Sequence, residues 1–88
     1  MLSRTVTVKN PLGIHARPSA LVVRSASRFK AEIYFSKGDT ARINGKSIMG
    51  VMMLAAEQGA QILIEADGED EGEAVEAMAR LLESNFEV

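Results

Sequence analysis

The chain contains no cysteine and no tryptophan, and only one histidine, one tyrosine and two prolines among its 88 residues. Without cysteine there is neither a disulfide framework nor a thiolate metal site. A single histidine leaves too few ligands for a zinc centre, so no metal is expected. No apolar run approaches the length of a membrane span, and Met1-Leu2-Ser3-Arg4-Thr5 has no apolar segment of the secretion-signal kind. The expectation is a cytoplasmic protein without membrane insertion. Excess positive charge is also missing: 10 Lys and Arg face 12 Asp and Glu, a formal net charge of −2. General nucleic-acid binding draws on a surplus of cations, so that class is set aside. What is present is an ordinary globular composition, 47% hydrophobic and 25% charged, in a length that suits one small domain over residues 1–88.

Period-two patterns mark the strands. Residues 2–9 place Leu2, Arg4, Val6 and Val8 opposite Ser3, Thr5, Thr7 and Lys9, the pattern of a half-buried strand. Residues 31–36 set Ile33 and Phe35 opposite Glu32 and Tyr34. Lys37-Gly38-Asp39 turns the chain into residues 40–44, which makes a hairpin. Residues 61–66 put Ile62 and Ile64 on one side and Leu63 and Glu65 on the other, and Asp67-Gly68 turns again.

Helical spacing fills the gaps. From Ala16 to about Arg28, Ser19, Val22, Ala26 and Phe29 form one line, and Arg17, Ala20, Leu21, Arg24 and Arg28 form a second. The second stripe reads as a solvated basic face or as a docking surface for acidic partners. Ser47 suits the N-cap of a short helix with Gly59 as terminator. That helix is apolar on nearly every side, so some of Ile48, Met49, Met52 and Met53 are expected to stay exposed as an adaptable surface, the other option being methionines that fill core gaps. Residues 69–83 give the clearest helix, with Ala74, Val75, Met78, Leu81 and Leu82 recurring at helical spacing. Its acidic start suits the helix dipole better than a metal. Phe86 is expected to anchor the end of the chain. The order β-α-β-β-α-β-α, with short connections and amphipathic strands, predicts an α+β fold: a four-stranded, mainly antiparallel sheet covered on one face by three helices.

The stretch that stands out chemically is Gly13-Ile14-His15-Ala16-Arg17-Pro18-Ser19-Ala20. Proline is tolerated in the first turn of a helix, where its missing N–H costs nothing. That places His15 at or beside the N-cap, with the backbone N–H groups of Ala16 and Arg17 free. A helix start offers unpaired donors and the positive end of the dipole, a ready anion site, and Arg17 adds a fork-shaped cation suited to phosphate oxygens. Taken alone, a histidine at a helix start is most often a surface or capping residue. In this setting it is also a plausible nucleophile for a phosphoryl group. The neighbouring sequence supplies no second acid or base for an enzyme in its own right.

Gly13-Ile14-His15-Ala16-Arg17-Pro18 and Lys46-Ser47-Ile48-Met49-Gly50-Val51-Met52 together closely resemble the HPr family, the phosphocarrier proteins of the bacterial phosphoenolpyruvate-dependent phosphotransferase system. The resemblance runs over essentially the whole chain and implies an HPr-like open-faced β-sandwich. It further implies that His15 accepts a phosphoryl group on Nδ1 from phosphorylated enzyme I and passes it to a histidine of a IIA domain or protein for sugar uptake. Arg17 would then balance the phosphate charge, and the N–H groups of Ala16 and Arg17 would cradle it. Ser47 aligns with the serine phosphorylated by HPr kinase/phosphorylase in relatives. The family's partner surface falls on Ala20, Leu21, Arg24, Ile48, Met49 and Met52. The implied protein is a monomer without a cofactor, a stoichiometric carrier rather than a turnover enzyme. Leu12 stands where small polar residues are common in the family, and the turn at residues 37–40 is one residue longer than in some relatives. Ser84-Asn85-Phe86 is reminiscent of the nitrogen-branch carrier NPr, whose output is regulatory rather than transport, which keeps that branch as the alternative.

Overall fold

The computed structural model describes residues 1–11, 13–14, 16–38 and 40–84, without the side chain of Ala16. Leu12, His15, the Asp39 of the hairpin turn and the proposed anchor Phe86 lie outside the described residues. In chain order the elements are β1 (Leu2–Thr7), α1 (Ala16–Ala26), β2 (Glu32–Lys37), β3 (Thr40–Asn44), α2 (Ile48–Met53), β4 (Gln61–Asp67) and α3 (Glu71–Leu82). The strands form one sheet in the order β1-β4-β2-β3, and every neighbouring pair is antiparallel.

Alternation sets the two faces of the sheet. The register pairs Val6 with Ile62, Phe35 with Ile64 and Ile33 with Ala66. These side chains are all buried and meet Val22 and Ala26 of α1, Val51 of α2, and Ala74, Met78 and Leu82 of α3 in one core. Truncating a side chain such as Phe35, which is fully buried, costs about 3–5 kcal/mol because the lost transfer energy and the cavity add. The opposite face of the sheet is polar. There the Arg42 guanidinium lies 4.3 Å from the Tyr34 ring centroid and reaches Glu65 at 3.3 Å.

Each helix ends earlier, or starts later, than its sequence pattern suggests, for local reasons. Beyond Ser27, whose N–H reaches Val23, the amides of Arg28 and Phe29 bond three residues back to Ser25 and Ala26, so α1 tightens and stops. Helix α2 stops at Met53 and not near Gly59, because Ala55 takes the left-handed position (φ 47°) that ends a helix. Helix α3 starts at Glu71. Asp70 stands at its N-cap but makes no cap hydrogen bond. Its carboxylate instead accepts from the backbone N–H groups of Lys30 (2.9 Å) and Ala31 (2.8 Å), which ties the α1–β2 connection to the start of α3. Those N–H donors, Lys30 first, hold the Asp70 carboxyl below the usual carboxylate range.

Candidate functional site

The segment that leads into α1 is held from several sides. The N–H of Gly13 donates to the Asn10 carbonyl at 2.9 Å, and the Asn10 side-chain amide donates to the Gly13 carbonyl at 2.7 Å. The N–H of Ile14 donates to the carbonyl of Ala56, beyond the end of α2, at 2.8 Å. Gly13 has φ +71°, and a Cβ there would stand 2.5 Å from the Ala56 carbonyl oxygen, so only glycine fits. Ile14 is buried in the core. His15 itself lies outside the described residues, but the chain reaches it from a fixed peptide and leaves it into the first turn of α1.

That turn has an open, positive character. It contains no acidic residue, and its amides at Ala16 and Arg17 are among those that helix geometry leaves without an intrahelical acceptor. The Arg17 side chain is exposed, and Pro18 and Ser19 are buried. Among the described residues Ser19 Oγ has no hydrogen-bond partner. Further along the same helix Ala20 and Leu21 are half-buried and Arg24 is exposed. Arg24 and Arg28 flank a cleft of about 460 Å³ between α1 and α3, with Leu21 and Ala77 in its lining and Arg80 on the far side. The basic stripe read from the sequence therefore divides, with Arg17 at the helix start and the other two arginines beside this cleft.

Helix α2 packs on α1 and runs against it. Its start is tied to the far end of α1 by Lys46 Nζ, which donates to the Phe29 carbonyl at 2.8 Å, and its exit is tied to the start of α1 through Ala56 and Ile14. Ser47 caps it: the backbone is extended (φ −114°, ψ 120°), and the hydroxyl oxygen accepts from the Gly50 N–H at 3.1 Å. Val51 and Leu54 enter the core, while Ile48, Met49, Met52 and Met53 are exposed, Met49 at 75%. The methionines are thus surface, not core filling. Of the residues expected to meet partners, Ala20, Leu21 and Arg24 lie on α1, and Ile48, Met49 and Met52 lie on its neighbour α2. Ser47 lies at the opposite end of α1 from Arg17.

Asn10 and the Ala56 carbonyl are missing from the sequence reading. The signal for Asn10 was local, an Asn-Pro pair three residues before a glycine, and it passes for an ordinary loop. A backbone carbonyl far along the chain leaves no signal at all. Among the described residues no group of three or more histidine, cysteine, aspartate or glutamate side chains is placed to hold a metal. No described helix is long and apolar enough to cross a membrane.

A model of the PTS-HPr family, described as the PTS HPr component phosphorylation site, matches residues 2–84. The chain is 48% identical over 86 residues to the phosphocarrier protein HPr of Neisseria meningitidis serogroup A, covering 98% of this chain and 96% of that one. It is 47% identical over 87 residues to the phosphocarrier protein HPr of Treponema pallidum, covering 99% and 98%. Among solved structures, HPr-C-His from Thermoanaerobacter tengcongensis superposes with a TM-score of 0.89 at 44% identity, covering 98% and 96%. With a family model matched over nearly the full length and relatives at this identity, the chain belongs to the HPr family of phosphocarrier proteins.

Proposed function

We propose that His15 is the phosphoryl acceptor, with the chain acting as one carrier domain, a cytoplasmic monomer, between phosphorylated enzyme I and IIA components. The observation that carries this reading is the start of α1. There a helix turn free of carboxylates, with Arg17 exposed upon it, directly follows His15 in the chain. In the forward step the lone pair of His15 Nδ1 attacks phosphorus in line, a new P–N bond forms, and the P–N bond to the donor histidine breaks. The second step repeats this toward the acceptor histidine. Little covalent help is needed, because phosphoryl transfer depends chiefly on alignment and charge stabilisation. The amides of Ala16 and Arg17 and the Arg17 guanidinium supply the charge stabilisation.

Docking falls to Ala20, Leu21, Arg24, Ile48, Met49 and Met52, which combine exposed apolar groups with a cation. Ser47 is the regulatory site on this reading, a substrate for HPr kinase/phosphorylase. A phosphate there adds negative charge at the start of α2, next to the exposed Ile48 and Met49. Its charge therefore acts on partner docking at this patch. Ser47→Asp is expected to raise the KM for this chain in transfer from enzyme I and to leave kcat unchanged. A fall in kcat alone would refute that division.

The deciding experiment is intact mass after incubation with enzyme I, Mg²⁺ and phosphoenolpyruvate, for wild type and His15→Ala. One acid-labile phosphoryl adduct, absent from the variant, is the expected result. An adduct that persists in His15→Ala would overturn the assignment.

A further inference from the structure

The geometry points to Asn10 as the positioning residue of the transfer site: its side-chain amide fixes the Gly13–Ile14 peptide plane, one residue ahead of His15. Asn10 is 7% exposed, one of only two buried polar residues among those described, and its amide points back into its own turn. The contact there is the 2.7 Å hydrogen bond from Nδ2 to the Gly13 carbonyl. The orientation of the amide is set by chemistry, since a carbonyl oxygen accepts and only Nδ2 donates.

The other end of the same peptide unit is held as well. The Gly13 carbonyl and the Ile14 N–H belong to one rigid plane, and the Ile14 N–H donates to the Ala56 carbonyl at 2.8 Å. Both polar groups of the Gly13–Ile14 peptide, one residue ahead of His15, are therefore engaged, one by Asn10 and one by the exit of α2. The reciprocal bond from the Gly13 N–H to the Asn10 carbonyl closes the turn. Ile14, buried in the core, prevents the plane from sliding. Without the Asn10 donor, the plane keeps one tether and can rotate about it, carrying the next residue with it. In-line transfer is sensitive to such movement: a displacement of about 1 Å costs on the order of 100-fold in rate. A residue that served the fold alone would bond within the sheet or core, whereas this one bonds to the approach to the reacting residue.

This rests on His15 being the acceptor, and the experiment separates the two. Transfer from enzyme I, charged with phosphoenolpyruvate and Mg²⁺, is measured for wild type, Asn10→Asp and Asn10→Ala, with kcat and KM corrected for the folded fraction. Asn10→Asp keeps the shape and loses the donor, and Asn10→Ala loses the donor without adding charge. Both are expected to lower kcat by about 10- to 100-fold at unchanged KM, because the docking surface on α1 and α2 is untouched. Wild-type kcat in both folded variants would overturn the role of Asn10 while leaving His15 in place. A wild-type chain that takes no phosphoryl group would instead defeat the reading of His15. If both variants unfold, the wild-type protein supplies the test: the Asn10 side-chain amide protons should exchange slowly with solvent, and rapid exchange refutes the latch.

Discussion

Helix α3 opens with Glu71 and Glu73 in its first turn, while the first turn of α1 has no carboxylate and carries Arg17. Both helices present the same kind of positive end. At α3 the chain fills that end itself: Glu71 and Glu73 complement the dipole, and the Glu71 side chain also accepts from the Gly68 N–H at 3.1 Å. At α1 the complement is left out, and a cation adds to the field. One end is finished within the fold, and on the reading proposed above the other is completed when the phosphoryl group arrives. A carrier needs this second arrangement, because a built-in carboxylate would compete with the phosphoryl group for the same donors.

The sharpest way to break the contrast is to give α1 the acidic start of α3. Arg17→Glu is expected to stabilise the free helix by about 0.3–1 kcal/mol through the dipole. The same change should lower phosphoryl transfer to His15 by about 100-fold or more, the scale on which loss of a charge-stabilising donor acts. Urea denaturation and rapid-quench transfer from enzyme I read the two effects separately. Unimpaired transfer would mean that the open end of α1 has no part in the chemistry.

A matched pair of glycines sharpens it further. Gly13 (φ +71°) precedes α1 and Gly68 (φ +151°) precedes α3. A Cβ at Gly13 would stand 2.5 Å from the Ala56 carbonyl oxygen, and one at Gly68 would stand 2.7 Å from the Ala31 Cα. Gly13→Ala and Gly68→Ala are each expected to cost about 1–3 kcal/mol from backbone strain, with any forced displacement adding to that. Chemical denaturation should therefore show similar losses. Transfer per folded molecule should fall only for Gly13→Ala, since Gly68 serves an end that the fold has already closed. Equal transfer in the two variants would remove the distinction between the two approaches.

Features carried by periodicity were legible in the sequence. Ile33 and Phe35, Ile62 and Ile64, and the line Ser19, Val22 and Ala26 announce their faces because burial repeats every two residues in a strand and every 3.6 in a helix. The cap at Ser47 was legible because its partner lies three residues away. Contacts that cross the chain were not. Asp70 reads as one more acid at a helix start, yet its carboxylate reaches Lys30 and Ala31, some 40 positions away. Ala55 carries no mark of its left-handed backbone, because alanine is not the residue expected there, and Gly59 drew the helix end toward itself. The strand order β1-β4-β2-β3 is likewise a matter of long-range pairing. At the site, the motif pointed to the α1 end, while the hold on its approach came from Asn10 and a distant carbonyl.

The smallest expected effect separates the two helix starts by pH. The Asp70 carboxyl is held below its ordinary value by the Lys30 and Ala31 amides, and that of Glu71 by the Gly68 amide. A carboxyl with a lowered folded-state pKa contributes its full stabilisation above the unfolded value, about 4. That contribution is lost as pH falls through the lowered folded value, since the unfolded chain takes up its proton first. The start of α3 should therefore loosen on acidification below about pH 4, whereas α1, with no carboxylate in its first turn, adds no such slope. Both carboxylates are only half-buried, so the effect is modest and salt-sensitive. Urea midpoints across this acid range for wild type and Asp70→Asn should show the variant less stable near neutrality and the difference closing as pH falls. A difference that persisted undiminished into strong acid would mean that the ionised carboxylate is not what fastens α3 to the α1–β2 connection.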